Sequence, residues 1–98
     1  MQIEIKKDGT ALTFALTGRL DTGTSPELQK AVDENIPGVT DLTFDLKKLV
    51  YLSSAGLRVI MGAQKTMLDQ GEMKLINVNK EIMDILDMVG LTDVFTIE

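Results

Sequence analysis

The sequence predicts a single α/β domain on a partly parallel sheet, and three observations carry that prediction. Two alternating stretches near the N-terminus flank a turn dipeptide, the pattern of an antiparallel hairpin. After them, apolar runs of strand length alternate with stretches of helical period. Strands separated by helices pair in parallel through right-handed crossovers. The order is β-β-α-β-α-β-α-β across residues 1–98, with no linker, repeat or low-complexity segment.

Each element has its own signal. Ile3 and Ile5 alternate with Glu4 and Lys6, a half-buried strand. Asp8-Gly9 is a hairpin turn dipeptide. From Ala11 to Leu20, Leu12, Phe14 and Leu16 alternate with Thr13, Ala15 and Thr17. Gly18 to Ser25 reads as a small-residue loop. Ser25 and Pro26 read as the cap and first residue of a helix carrying Leu28, Ala31, Val32 and Ile36, which Pro37-Gly38 ends.

Leu42, Phe44 and Leu46 predict the next strand, and a loop holding Ser53 and Ser54 follows it. From Leu57, the positions of Ile60, Met61, Met67 and Leu68 mark a second helix that Gly71 stops. Val59, Ile60, Met61 and Ala63 make it the most apolar helix and predict that it is the most buried. Gly62 inside it costs about 1 kcal/mol relative to Ala; close approach to the sheet or simple tolerance would each account for it. Met73, Leu75, Ile76 and Val78 predict a short strand. Asn79 caps a third helix with Ile82, Ile85, Leu86 and Val89, and Gly90-Leu91 fits a Schellman end. Val94, Phe95 and Ile97 close the chain as a strand. The six Met residues are expected mostly at helical core positions.

Composition narrows the function. The 98 residues make one domain, 44% hydrophobic but only 4% aromatic, so the core is aliphatic. With no Cys and no His, thiol chemistry, most zinc sites and the commonest general base are removed. No metal and no cofactor are expected. An enzyme is the weakest class: nothing sets Lys47 or Lys48 beside a serine, and nucleotide-binding glycine loops are absent. Net charge is −5, and Lys6-Lys7 and Lys47-Lys48 are too little for a nucleic-acid face. That acidity serves solubility or a partner with a basic patch. No secretory leader and no membrane span are read, so the expected location is cytoplasmic.

The sharpest chemistry lies at Leu52-Ser53-Ser54-Ala55-Gly56-Leu57, where a strand feeds a helix. A helix N-terminus carries unpaired amides and about half a positive charge. A hydroxyl there caps the helix, binds an anion, or accepts a phosphoryl group at a place that tolerates the charge.

Asp45-Leu-Lys-Lys-Leu-Val-Tyr-Leu-Ser-Ser-Ala-Gly-Leu57 resembles the signature of the STAS domain, the fold of bacterial anti-sigma factor antagonists. In that pattern a strand ends in Asp-Leu and, after a short spacer, Asp-Ser-small-Gly-Leu opens a helix. Gly18-Arg19-Leu20-Asp21, Gly71-Glu72-Met73 and Asp87-Met88-Val89-Gly90-Leu91 resemble further family pieces in the same order, so the resemblance spans essentially the whole chain. It implies a STAS-like domain over residues 1–98, with a mixed sheet of about five strands and helices mainly on one face.

The resemblance also implies a bacterial partner-switching signalling function in transcription regulation. Ser54 stands where family members are phosphorylated by a partner that is both anti-sigma factor and serine kinase. The unphosphorylated antagonist binds that partner, phosphorylation breaks the binding, and a PP2C-type phosphatase restores it. Ser53 stands where the family keeps Asp, and is a second candidate phosphoacceptor. Arg58 replaces a frequent Gly; it is positioned to pair with a phosphate on Ser54 or to be a plain solvent-facing residue. Asp21, Thr22, Ser53, Ala55, Gly56 and Arg58 are the candidate partner-binding residues, although Asp21 and Thr22 also read as turn and cap residues. The alternative is a non-switching interaction subunit of a lipid-transport ATPase, or a module that binds a small ligand. Exposed edge strands leave a weak homodimer open.

Overall fold

The computed structural model describes residues 1–98 and contains the elements in the expected order. They are β1 (Gln2–Asp8), β2 (Ala11–Leu20), α1 (Ser25–Asn35), β3 (Asp41–Leu52), α2 (Ser54–Gln70), β4 (Glu72–Ile76), α3 (Lys80–Met88) and β5 (Thr96–Ile97). The sheet order is β1-β2-β3-β4-β5, with β1 antiparallel to β2 and every other pairing parallel.

Alternation along the strands selects the buried face. Leu12, Phe14 and Leu16 of β2, Leu42, Phe44 and Leu46 of β3, and Met73 and Leu75 of β4 are buried. Phe14 and Phe44 stack at 5.5 Å between ring centroids. The helices bury Leu28, Val32, Leu57, Ile60, Met67, Ile82 and Leu86 in the same cluster. The opposite face carries the half-buried Thr13, Ala15, Thr17, Asp45 and Lys74, so the helices cover one face only.

β3 runs further than its first alternation indicates. Two register shifts against β2 interrupt it, between Ala15 and Thr17 and between Gly18 and Arg19. Each β-bulge changes which face the next residue meets. Leu46, Leu49 and Leu52 are therefore all buried at three-residue spacing. The segment read as a loop before the serines is strand as far as Leu52, and only Ser53 separates it from α2.

The ends of other elements also differ from expectation. β2 includes Gly18 to Leu20, so the loop before α1 is only Asp21 to Thr24. Asp8 pairs with Ala11 and ends β1, which leaves Gly9 and Thr10 as the turn. Ser25 is not the cap of α1: Thr24 occupies that position without a side-chain cap bond, and Ser25 is the first helical residue and buried. Val78, Val94 and Phe95 lie outside β4 and β5.

The expected cap and stop of α3 are present. Asn79 Oδ1 accepts from the Ile82 amide at 2.9 Å, and its Nδ2 donates to Leu49 O at 2.7 Å. Leu91 N–H donates to Leu86 O and Gly90 N–H to Asp87 O, the two bonds of a Schellman end. No helix is long and apolar enough to cross a membrane.

α2 buries Gly56, Leu57, Val59, Ile60, Ala63 and Met67, more residues than either other helix, as expected. Its outer face leaves Met61 and Leu68 exposed beside the polar Arg58, Lys65, Thr66 and Asp69. Close approach does not explain Gly62, which is exposed, with nothing within 4 Å of where a Cβ would stand. The methionines are not mostly helical core: Met67 is, Met73 is buried in β4, and Met61 and Met88 face solvent.

Candidate functional site

The two serines fall where β2 and β3 end together and α2 begins. Leu20 pairs with Leu52, and the Ser53 amide donates to Leu20 O at 2.9 Å. The segment after β2 is thereby fixed beside the start of α2. In open parallel sheets the carboxyl ends of the strands are where loops gather and ligands bind.

Ser53 is the N-cap. Its backbone is extended and its Oγ accepts from the Gly56 amide at 3.2 Å. Such a cap is worth about 1 kcal/mol. Asp serves equally well at this position, so Ser53 keeps the helix start while removing a negative charge beside Ser54.

Ser54 is the first helical residue, and it is exposed. Its hydroxyl has no protein partner, and the Ser54 and Ala55 amides are left unpaired by the cap. A free hydroxyl thus sits among free donors at the positive end of a helix. Arg58, one turn later on the same face, is exposed and makes no ion pair. Ala55 is half-buried between them.

Gly56 is buried, and its contribution is space. A Cβ there would stand 2.6 Å from Leu20 Cγ and 3.0 Å from Leu52 Cδ1. The missing side chain lets α2 rest directly on the ends of β2 and β3, which sets the height of Ser54 above the sheet.

Asp21 folds its own turn. Its Oδ1 accepts from the Gly23 amide at 3.0 Å, the Thr24 amide at 3.1 Å and the Thr24 hydroxyl at 3.2 Å. The Thr24 amide above all holds the Asp21 carboxyl below its ordinary value, with the Thr24 hydroxyl, the Gly23 amide and nearby Arg19 adding to it against partial desolvation. Thr22 is exposed at the tip of that turn. The fold therefore brings the Asp21–Thr22 turn, Ser53, Ser54 and Arg58 to one end of the molecule, with Gly56 beneath them.

Two further residues at this end, each within a stretch that resembles the family, meet in a way the sequence does not show. The Arg19 guanidinium carbon lies 4.3 Å from the Tyr51 ring centroid, and its Nε lies 3.9 Å from Asp21 Oδ2. Arg19 and Tyr51 face each other because the second register shift places them opposite. Pairing register is what brings them into contact.

A trough of about 680 Å³ starts at Ser54 and Arg58 and runs along the outer face of α2, with Val89 and Val94 on its far wall. No group of three or more metal-ligating side chains occurs anywhere in the chain.

The STAS domain family pattern matches residues 2–98. An anti-sigma F factor antagonist of Paenibacillus polymyxa is 34% identical over 100 residues, covering 99% of this chain and 86% of that protein. An anti-sigma-B factor antagonist of Bacillus subtilis is 26% identical over 98 residues, covering 99% and 90%. Among solved structures, the Bacillus cell fate determinant SpoIIAA in its phosphorylated form superposes with a TM-score of 0.77 at 16% identity, covering 99% of this chain and 91% of that one.

Proposed function

The chain belongs to the STAS domain family, and on that premise we propose that it is a cytoplasmic anti-sigma factor antagonist switched by phosphorylation of Ser54. It is a regulatory binding protein rather than an enzyme. Its partner is an anti-sigma factor with serine-kinase activity, and a PP2C-type phosphatase resets it. The observation that carries this reading is the exposed, unpartnered Ser54 hydroxyl at the first position of α2, beside Ser53, whose own hydroxyl is engaged as the helix cap. The antagonist names of the relatives and the solved phosphorylated form of SpoIIAA support it.

The physical logic is a change of surface without a change of fold. A phosphoryl group adds roughly −1.5 to −2 charges and three acceptor oxygens. At the N-terminus of α2 it meets unpaired amides, the helix dipole and Arg58, so the domain tolerates it. In an interface the same charge brings repulsion and desolvation. Ser53, engaged as the cap, is the poorer acceptor. The partner surface comprises Asp21, Thr22, Ser53, Ala55 and Arg58, with Gly56 supporting it from below.

One observation favours a second reading. Ser53 replaces the family Asp next to the acceptor, and a lost recognition carboxylate suits a non-switching subunit of a lipid-transport ATPase. Two experiments separate the readings. Incubation with the cognate anti-sigma kinase and ATP should add one phosphoryl group to wild type and none to Ser54→Ala; equal labelling removes Ser54 as the site. A pull-down should then recover that kinase, whereas a transporter ATPase as the main partner would replace the first reading by the second.

A further inference from the structure

The trough beside Ser54 extends well past the hydroxyl and Arg58 that the switch uses. Its walls leave large apolar side chains in water: Leu68 is 72% exposed, Val89 50%, Val94 46% and Met61 39%. These come from two separate parts of the chain, α2 and the segment after α3, yet they line one continuous surface. Such a contiguous apolar patch marks a contact surface, whereas scattered single residues would not.

Its charge is opposite to that of the rest of the molecule. The chain has 15 acidic and 10 basic residues, but the trough is lined by Arg58 and Lys65 and by no carboxylate. Neither cation makes an ion pair. They lie seven residues apart on α2, two turns, or about 10 Å at about 1.5 Å per residue. An occupant with an apolar stripe and two carboxylates two turns apart would satisfy both features. That is the pattern of an acidic amphipathic helix, a recurring occupant of apolar grooves.

We propose that the trough between α2 and the segment after α3 docks an acidic amphipathic helix of a protein partner, with Arg58 and Lys65 as its two anion contacts. A second copy of this chain offers no such helix. Glu27 and Glu34 of α1 have the seven-residue spacing and α3 carries Glu81, Asp84 and Asp87, but the apolar stripes of these helices, Leu28 and Val32 and then Ile82 and Leu86, are already buried in the core. A single-chain amphiphile lying in a surface trough would keep much of its length in water, which a helix with its own polar outer face avoids. The proposal deepens the partner reading above and rests on it only for the partner's identity.

The test uses the full chain and two fluorescein-labelled helical peptides sharing one leucine stripe. One carries Glu pairs at seven-residue spacing beside the stripe, and the other carries Lys at the same places. Fluorescence anisotropy should show the Glu peptide binding at least about tenfold more tightly than the Lys peptide. The Arg58→Glu/Lys65→Glu variant should reverse that preference. Leu68→Glu, a change at an exposed side chain that leaves the circular dichroism spectrum and melting unchanged, should weaken both peptides. Equal affinity for the two peptides, or an unchanged preference in the double charge variant, overturns the proposal. So does dodecanoate displacing the Glu peptide below that peptide's own dissociation constant, or a wild-type dimer that Leu68→Glu abolishes. Kinase labelling of Ser54 is read separately: labelling without Glu-peptide binding defeats the trough alone, and binding without labelling defeats the switch alone.

Discussion

The two ends of α2 face their surroundings in opposite ways. At its N-terminus the helix is pressed onto the sheet: Gly56 lies against Leu20 and Leu52, Ser53 caps it, and its cap amide is tied to Leu20 O. From Met61 to Leu68 its outer face meets only water and the far wall of the trough. The first region is a rigid base under one exposed hydroxyl. The second is anchored by Ala63 and Met67 on its inner side, while Met61 and Leu68 on its outer side have no partner in the fold. A single helix thus holds one exposed hydroxyl steady and leaves exposed apolar side chains beside it.

The two glycines of α2 give the largest test of that contrast. Gly56→Ala places a methyl group against Leu20 and Leu52 and should cost about 1–3 kcal/mol, a fall in Tm of roughly 4–8 °C for each kcal/mol. Gly62→Ala meets nothing and should instead stabilise by about 0.5–1 kcal/mol. Thermal melts of the two variants should move in opposite directions; a shared direction would mean that the helix is seated differently.

The adjacent serines sharpen the comparison on a smaller scale. Ser53→Ala should lose about 1 kcal/mol with its cap. Ser54→Ala should change stability by no more than about 0.5 kcal/mol, because its hydroxyl bonds nothing in the protein. Urea unfolding of both variants checks this, and equal losses would place the cap at the wrong serine.

The smallest effect is the pH response of the Asp21 turn. The folded carboxyl is held below its ordinary value of 3.8, chiefly by the Thr24 amide. A depressed carboxyl contributes stability above the unfolded value and loses it as pH falls through the folded one. The difference in Tm between wild type and Asp21→Asn should therefore be constant near neutrality and shrink below that ordinary value. A difference that persists in acid would show that the charge of Asp21 does not support the turn.

The legibility of this fold in its sequence follows the regularity of each element. Leu12, Phe14 and Leu16 alternate without interruption, and β2 is readable there. The second half of β3 is not, because two bulges put Leu46, Leu49 and Leu52 on one face at a spacing unlike that of a strand. The cap at Asn79 is readable because capping is local chemistry between residues three apart, whereas of the two adjacent serines only the structure singles out Ser53 as the cap of α2. The contact of Arg19 with Tyr51 is not readable, because only strand register brings them together. The trough is hidden for another reason: Met61 and Leu68 continue a helical apolar pattern, and the pattern alone does not distinguish a buried face from an unoccupied one. Gly56 and Gly62 are likewise the same letter, and only what faces each separates them.

A phosphoryl group on Ser54 should change the surface of this domain without changing its fold. The direct measurement is isothermal titration of the cognate anti-sigma kinase with wild type and Ser54→Asp, each also melted alone. The expected result is at least about a tenfold loss of affinity, or about 1.4 kcal/mol, with Tm within a few degrees of wild type. Unchanged affinity, or an affinity lost together with the melting transition, would contradict it.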